Sequence, residues 1–212
     1  MKVECVLFDL DGTLLNTNDL VLESLKYTIK AHLREDKEDS ELYKYFGQPL
    51  VNIMADLDSA KADEMVLTYR EYSARKHDTL TKVFPEVPET LRVLKQQGIP
   101  TAVVTSKLKS LALRGLKLFD LQTLFNTCVA FEDTDSHKPE PDPILKALEV
   151  LDLKAARKNI LMVGDSPYDI LCAGNAGVAS AAVMWSLHPT EVLTACHPDI
   201  WLKEFSGLLE YI

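Results

Sequence analysis

Two aspartates two positions apart, Asp9 and Asp11, follow an apolar run and precede Gly12 and Thr13 in VLFDLDGTLLN. Thr105, Ser106 and Lys107 follow a second apolar run, IPTAVV. Lys138 stands in SHKPEPD, and Asp165 ends a third run, NILMVG, with Asp169 four residues on. Carboxylates gathered within a few ångströms repel, and raise one another's pKa unless a cation sits among them. A few hard oxygen ligands with room for water suit Mg2+, so Asp9, Asp11, Asp165 and Asp169 are the candidate metal residues. That cation and Lys138 would together hold a phosphoryl group against a carboxylate whose charge would otherwise repel it. Asp9 is then the candidate nucleophile, attacking phosphorus to form an aspartyl-phosphate. Asp11, two positions on and pointing the same way, would protonate the leaving group and then activate water. Thr105 would hydrogen-bond a phosphoryl oxygen and Lys138 would neutralise developing charge. Thr13, Ser106 and Lys107 are candidate substrate contacts.

Each residue taken singly has a plainer explanation. Asp165 has the position of an N-cap for a helix starting near Pro167, and a lone loop lysine is ordinarily solvated. Their conjunction carries the reading, because in an open parallel sheet ligands bind beyond the carboxyl ends of the strands.

The elements that must deliver them follow from periodicity. VECVLF is a buried strand. Leu22, Leu25, Ile29 and Leu33 then recur at helical spacing, with Thr17 or Asn18 as N-cap, and ADEMVLTYREYSARKH at 62–77 is a further helix. The charge run REDKEDSE at 34–41 reads as a solvated turn. Between about 17 and 80 there are helices and no strand. Beyond residue 86 helix and strand alternate. ETLRVLKQQ stops at Gly98, IPTAVVTS (99–106) is a strand with Pro100 near its start, and SLALRGLKLF is helical. TCVAF (127–131) is a strand, PDPILKALEVL opens with Asp142 as N-cap and Pro143 at the first helical position, and NILMVGD (159–165) is a strand. YDILCAGNAG is a helix closed by Gly177, and SAAVMW and DIWL are the last strands. Continuous apolar strands alternating with helices predict an α/β fold with a Rossmann-like parallel sheet covered on both faces. The expected organisation is a core of residues 1–16 and 80–212, with residues 17–79 as a helical cap inserted after the first strand.

The totals narrow the function. A net charge of −9 over 212 residues argues against nucleic acid or an anionic membrane as partner. Cys5, Cys128, Cys172 and Cys196 form no close pair, and no apolar run is long enough to span a membrane. The chain therefore reads as a cytoplasmic protein with reduced thiols, Cys5 and Cys128 being core filler. The five histidines share no ligand spacing.

DLDGT at 9–13, the strand-end threonine of VVTSK, Lys138 in HKPEPDP and GDSPYD at 164–169 resemble, in order and spacing, the four motifs of the haloacid dehalogenase (HAD) superfamily. The resemblance covers essentially the whole chain. It implies Asp9 as nucleophile and Asp11 as general acid and base. It also implies Mg2+ bound by the Asp9 carboxylate, the Asp11 backbone carbonyl and the Asp165 carboxylate, with Asp169 in support. The helical insert resembles the family's four-helix cap. Relatives that dehalogenate lack an acid at the position of Asp11, so its presence implies phosphoryl transfer, by hydrolysis or by a sugar-phosphate mutase. FGQPL at 46–50, DEMVLTYREY at 63–72, GLKLF at 115–119 and VMWS at 183–186 resemble the phosphoglycolate phosphatase-like branch, and within it the inorganic pyrophosphatases. The implied partner is a small phosphorylated substrate, pyrophosphate or a monoester such as phosphoglycolate, and the chain is expected as a monomer or homodimer. Gln48, and Arg70 on its helix, are the cap residues that could meet that substrate. His137 departs from the glycine many relatives carry, and Thr-Ser-Lys departs from a common Thr-Asn. Receiver domains also hold Mg2+ and an aspartyl-phosphate at strand ends, but they are about half this length and lack a cap.

Overall fold

The computed structural model describes residues 2–153 and 155–212. Six short apolar runs become a parallel sheet: β1 (Cys5–Phe8), β4 (Thr101–Val104), β5 (Thr127–Val129), β6 (Ile160–Gly164), β7 (Ala179–Val183) and β8 (Ile200–Leu202). Their spatial order is β5-β4-β1-β6-β7-β8. The first strand is thus central, with β4 and β6 as its neighbours.

Strand side chains alternate between faces, so one run feeds two cores. Val6 and Phe8 pack with Leu91 and Leu94 of α5 (Val87–Gln96) and Leu116 of α6 (Lys109–Leu118). Cys5 and Leu7 pack on the other face with Ile144 of α7 (Asp142–Val150) and Cys172 of α8 (Pro167–Ala176). Both faces are covered, which is why these strands are largely apolar, and Cys5 and Cys128 are buried as expected. A short helix α9 (Thr190–Thr194) follows β7.

The segment after β1 has a core of its own. Helices α1 (Asn18–Leu33), α2 (Asp39–Leu42), α3 (Leu50–Leu57) and α4 (Ala62–Leu80) enclose Leu25, Ile29, Ile53, Met54 and Met65. A two-stranded antiparallel ribbon joins its ends, β2 (Leu15–Asn16) pairing with β3 (Lys82–Val83). Runs of two residues carry no periodic signal, and the sequence reading did not contain this ribbon. The far end of α4 is fastened to α6, where Arg114 reaches Asp78 at 2.9 Å and donates to the Ala74 carbonyl at 3.0 Å.

Local departures from the sequence reading are confined to element ends. TCVAF pairs only through Val129, and the chain then enters a 3-10 turn at Phe131–Asp133. Asp142 is the first residue of α7 and Pro143 its second, with Pro141 in the capping position. An acid in the first turn still complements the helix dipole. Asp165 does not cap α8; Ser166 holds the capping position, and its amide donates to the Asp169 carboxylate at 3.0 Å. Thr17 occupies the capping position of α1 but makes no cap hydrogen bond. No helix among the described residues is long and apolar enough to cross a membrane.

Candidate active site

Asp9 follows β1, Thr105 follows β4 and Asp165 follows β6, so three adjacent strands deliver them to one edge. Lys138 arrives from the segment between β5 and α7. Its Nζ lies 2.6 Å from Asp9 Oδ1 and 2.6 Å from Asp169 Oδ1. The other Asp169 oxygen accepts from the Ser166 amide at 3.0 Å and from the Ser166 hydroxyl at 2.6 Å. Thr13 donates to Asp165 Oδ1 at 3.3 Å. Gly12 makes this crowding possible: it has φ +84°, and a Cβ there would lie 2.2 Å from Asp165 Oδ2.

All these groups are buried, and oxygens of Asp9, Asp165 and Asp169 lie within 4.8 Å of one another. At that distance, with an effective dielectric of 20, each pair of carboxylates repels by about 3 kcal/mol. Burial pushes the Asp9 carboxyl up to about 7; Lys138 opposes the shift, and the charges of Asp169 and Asp11 add to it. Burial, then Asp9 and Asp169, raise Asp165 well above the usual carboxylate range. Burial alone would strip the charge from Lys138, but Asp169 and Asp9 outweigh it and hold the ammonium well above its ordinary value. One ammonium against three carboxylates leaves a deficit of positive charge. The donor set, all hard oxygen, therefore fits a divalent cation.

The Asp11 carboxylate faces a cavity on the helical side instead of this cluster. Lys107 Nζ lies 2.6 Å from its Oδ1, and the Thr17 hydroxyl donates to the same oxygen at 2.7 Å. The Asp11 carboxylate, expected from the sequence among the metal residues, thus stands outside the cluster that Asp9, Asp165 and Asp169 form. The cavity, about 120 Å³, opens between the sheet edge and the helical segment, with Asp9, Asp11, Thr105 and Lys107 on one wall. Thr105 Oγ1 accepts from the Lys107 amide at 3.2 Å, leaving its proton free for a ligand. Gln48, Tyr69 and Arg70 line the opposite wall. The Gln48 amide nitrogen is engaged by the Lys44 carbonyl at 2.9 Å.

A loop of the helical segment rests on the sheet edge. His188 Nε2 lies 3.2 Å from the Phe46 carbonyl, and the Ser106 hydroxyl lies 3.4 Å from the Gly47 carbonyl. Gly47, at φ +81°, packs so closely that a Cβ would fall 2.5 Å from Ser166 Oγ. His137 stacks on Phe131, with ring centroids 4.0 Å apart, which leaves Lys138 undisturbed. Thr17, Tyr69, His188 and Trp185, whose indole donates to the Gly12 carbonyl at 3.1 Å, were not singled out from the sequence as site neighbours. Tyr69 and Trp185 did lie in quoted stretches, DEMVLTYREY and VMWS; His188 sits in a loop with no motif to mark it.

Residues 6–183 match the family model described as haloacid dehalogenase-like hydrolase. The chain belongs to that family. It is 50% identical over 212 residues, all of it and 96% of the relative, to a PpaX protein of Caldanaerobacter subterraneus subsp. tengcongensis. It is 38% identical over 209 residues to a Bacillus cereus protein named pyrophosphatase PpaX, covering 99% of this chain and 96% of that one. Among solved structures, a HAD-like hydrolase of Streptococcus pneumoniae superposes with a TM-score of 0.87 at 25% identity. That match spans 99% of this chain and 98% of the other. The parallel sheet with its surrounding helices is accordingly the HAD α/β fold, and the protein is a hydrolase.

Proposed function

We propose that this hydrolase is a Mg2+-dependent phosphatase working through an aspartyl-phosphate, with pyrophosphate as its first substrate and a small monoester such as phosphoglycolate as the second. One observation carries the chemistry: buried Asp9 stands beside Asp165 and Lys138, while Asp11 turns into the adjoining cavity, held by Lys107 and Thr17. The choice of pyrophosphate rests on the PpaX relatives.

Asp9, Asp165 and the Asp11 carbonyl would hold Mg2+, which when bound neutralises phosphoryl oxygens and lets an anionic nucleophile approach. Asp9 forms a bond to phosphorus as the bond to the leaving oxygen breaks, and Asp11 gives that oxygen a proton. Asp11, now a carboxylate, takes a proton from water as the water oxygen attacks phosphorus and releases Asp9. Lys107 keeps the Asp11 carboxylate aimed into the cavity. Thr105 donates to a phosphoryl oxygen, and Lys138 fixes Asp9 and offsets charge on the group in transfer. Thr13 orients Asp165, Asp169 orients Lys138, and Ser106 and Gln48 border the substrate. Residues 17–79 act as a cap over a core of residues 1–16 and 80–212, admitting substrate and excluding water.

The deciding experiment is phosphate release with Mg2+ from pyrophosphate, 2-phosphoglycolate and a panel of sugar and nucleotide monophosphates, with Asp9→Asn as the blank. A strong preference for pyrophosphate is expected. Weak activity spread over monoesters would remove the pyrophosphate assignment, and turnover by Asp9→Asn would remove the mechanism.

A further inference from the structure

Two cationic side chains line the cavity, Lys107 and Arg70. Lys107 is bound to Asp11, and Lys138, deeper in the site, is bound to Asp9 and Asp169. Both lysines are therefore already matched to carboxylates of the catalytic edge. Arg70 differs. It projects from α4 on the opposite wall, and its Nε is buried without any hydrogen-bond partner. Among the described residues three other side chains carry a buried polar atom of this kind, His77, Thr81 and Thr134, and none of them lines the cavity.

A buried guanidinium nitrogen left unpaired is costly, and such groups in folded proteins are met by a ligand or by water. Its planar fork matches phosphate and carboxylate oxygens two at a time. We infer that Arg70 recognises the part of the substrate that is not transferred, and that this part is an anion: the second phosphoryl group of pyrophosphate or the carboxylate of phosphoglycolate. The inference rests on the phosphatase reading above and adds to it a specificity residue. Placed across the cavity from Asp9, the guanidinium would fix the spectator group while leaving the reacting group to Lys138 and Thr105.

The test compares wild type, Arg70→Met and Arg70→Lys on three substrates with Mg2+: pyrophosphate, 2-phosphoglycolate and phenyl phosphate, which has no second anion. Arg70→Met should raise KM ten- to hundredfold for whichever substrate carries the recognised anion, and change phenyl phosphate less than twofold. Arg70→Lys, keeping charge but losing the fork, should fall between. A rise for pyrophosphate alone assigns a phosphoryl group, and a rise for 2-phosphoglycolate alone assigns a carboxylate. Phenyl phosphate turnover also reports whether each variant is folded; should Arg70→Met fail there, Arg70→Lys carries the comparison. Equal change on all three substrates, no change on any, or a wild type that hydrolyses only phenyl phosphate would overturn the inference while leaving a phosphatase. A wild type inactive on all three would overturn the phosphatase reading itself.

Discussion

Lys138 Nζ meets Asp9 Oδ1 at 2.6 Å across 129 positions of sequence, inside a site from which water is nearly excluded. Removing one partner of a buried ion pair leaves an uncompensated charge, which costs roughly 3–5 kcal/mol. Lys138→Met should therefore lower stability by about that amount in urea melts with EDTA, besides abolishing turnover. Adding Asp169→Asn to the same chain should recover part of the loss. An unchanged melt would mean that the pair contributes no stability.

The crowded carboxylates predict that a divalent cation stabilises the fold as well as serving the chemistry. Binding to the native state alone adds about 2.7 kcal/mol at a hundredfold excess over Kd, or roughly 5–10 °C in Tm for a chain of this size. Calorimetry with and without Mg2+ should show that rise, and Asp165→Asn should diminish it. A Tm indifferent to Mg2+ would contradict the assignment.

Gly47 can neither grow nor shift cheaply. A Cβ would strike Ser166, whose hydroxyl is itself tied to Asp169. Gly47→Ala is expected to lift this loop from the sheet edge and cut kcat/KM ten- to a hundredfold, with a loss of stability of about 1–3 kcal/mol. His188→Phe removes a second tie to this loop and should act in the same direction, by about fivefold, while His188→Gln, which keeps a donor, should restore most of it. Steady-state kinetics and a melt on each variant separate loop placement from simple unfolding.

His77 of α4 is fully buried, with Nδ1 2.8 Å from Asp78 and Nε2 unpaired. Burial lowers its pKa below 6.5, against the pull of Asp78. The unfolded chain then binds the proton more readily, so the contribution of His77 to stability is complete above pH 6.5 and declines as pH falls from there toward the lower folded value. Unfolding free energies of wild type minus His77→Gln, measured from pH 5 to 8, should rise with pH and level off near 7. Taking the difference cancels the carboxylates, whose raised values act in the opposite sense. A flat difference would show that His77 titrates alike in both states.

The sheet and its catalytic edge were legible because each acid ends a run too apolar to be anything but a buried strand. Asp9, Thr105 and Asp165 each follow strands that are adjacent in the sheet, and their meeting was anticipated from the rule that ligands bind beyond the carboxyl ends of parallel strands. The helical wall was less legible. Periodicity identifies α4 as a helix, but which of its residues faces the cavity depends on how that helix packs against α1 and α6. Arg70 could therefore be named from the sequence as a possible substrate contact, but its place on the cavity wall and its buried, unpaired nitrogen could not. Thr17 was correctly placed at a helix start, yet its hydroxyl serves Asp11, a competition that local capping rules do not weigh. His188 contacts a carbonyl 142 positions away, and no local pattern encodes such a pairing.

The ribbon of Leu15–Asn16 with Lys82–Val83 brings the exit and return of the helical segment side by side, about 4.8 Å apart as neighbouring strands are. A segment with adjoining ends behaves as a cassette. A longer, shorter or wholly different one closes across the same gap without altering the register of the six strands behind it. The length of chain between the two arms of the ribbon is thus decoupled from the spacing of the strands that carry Asp9 and Thr105.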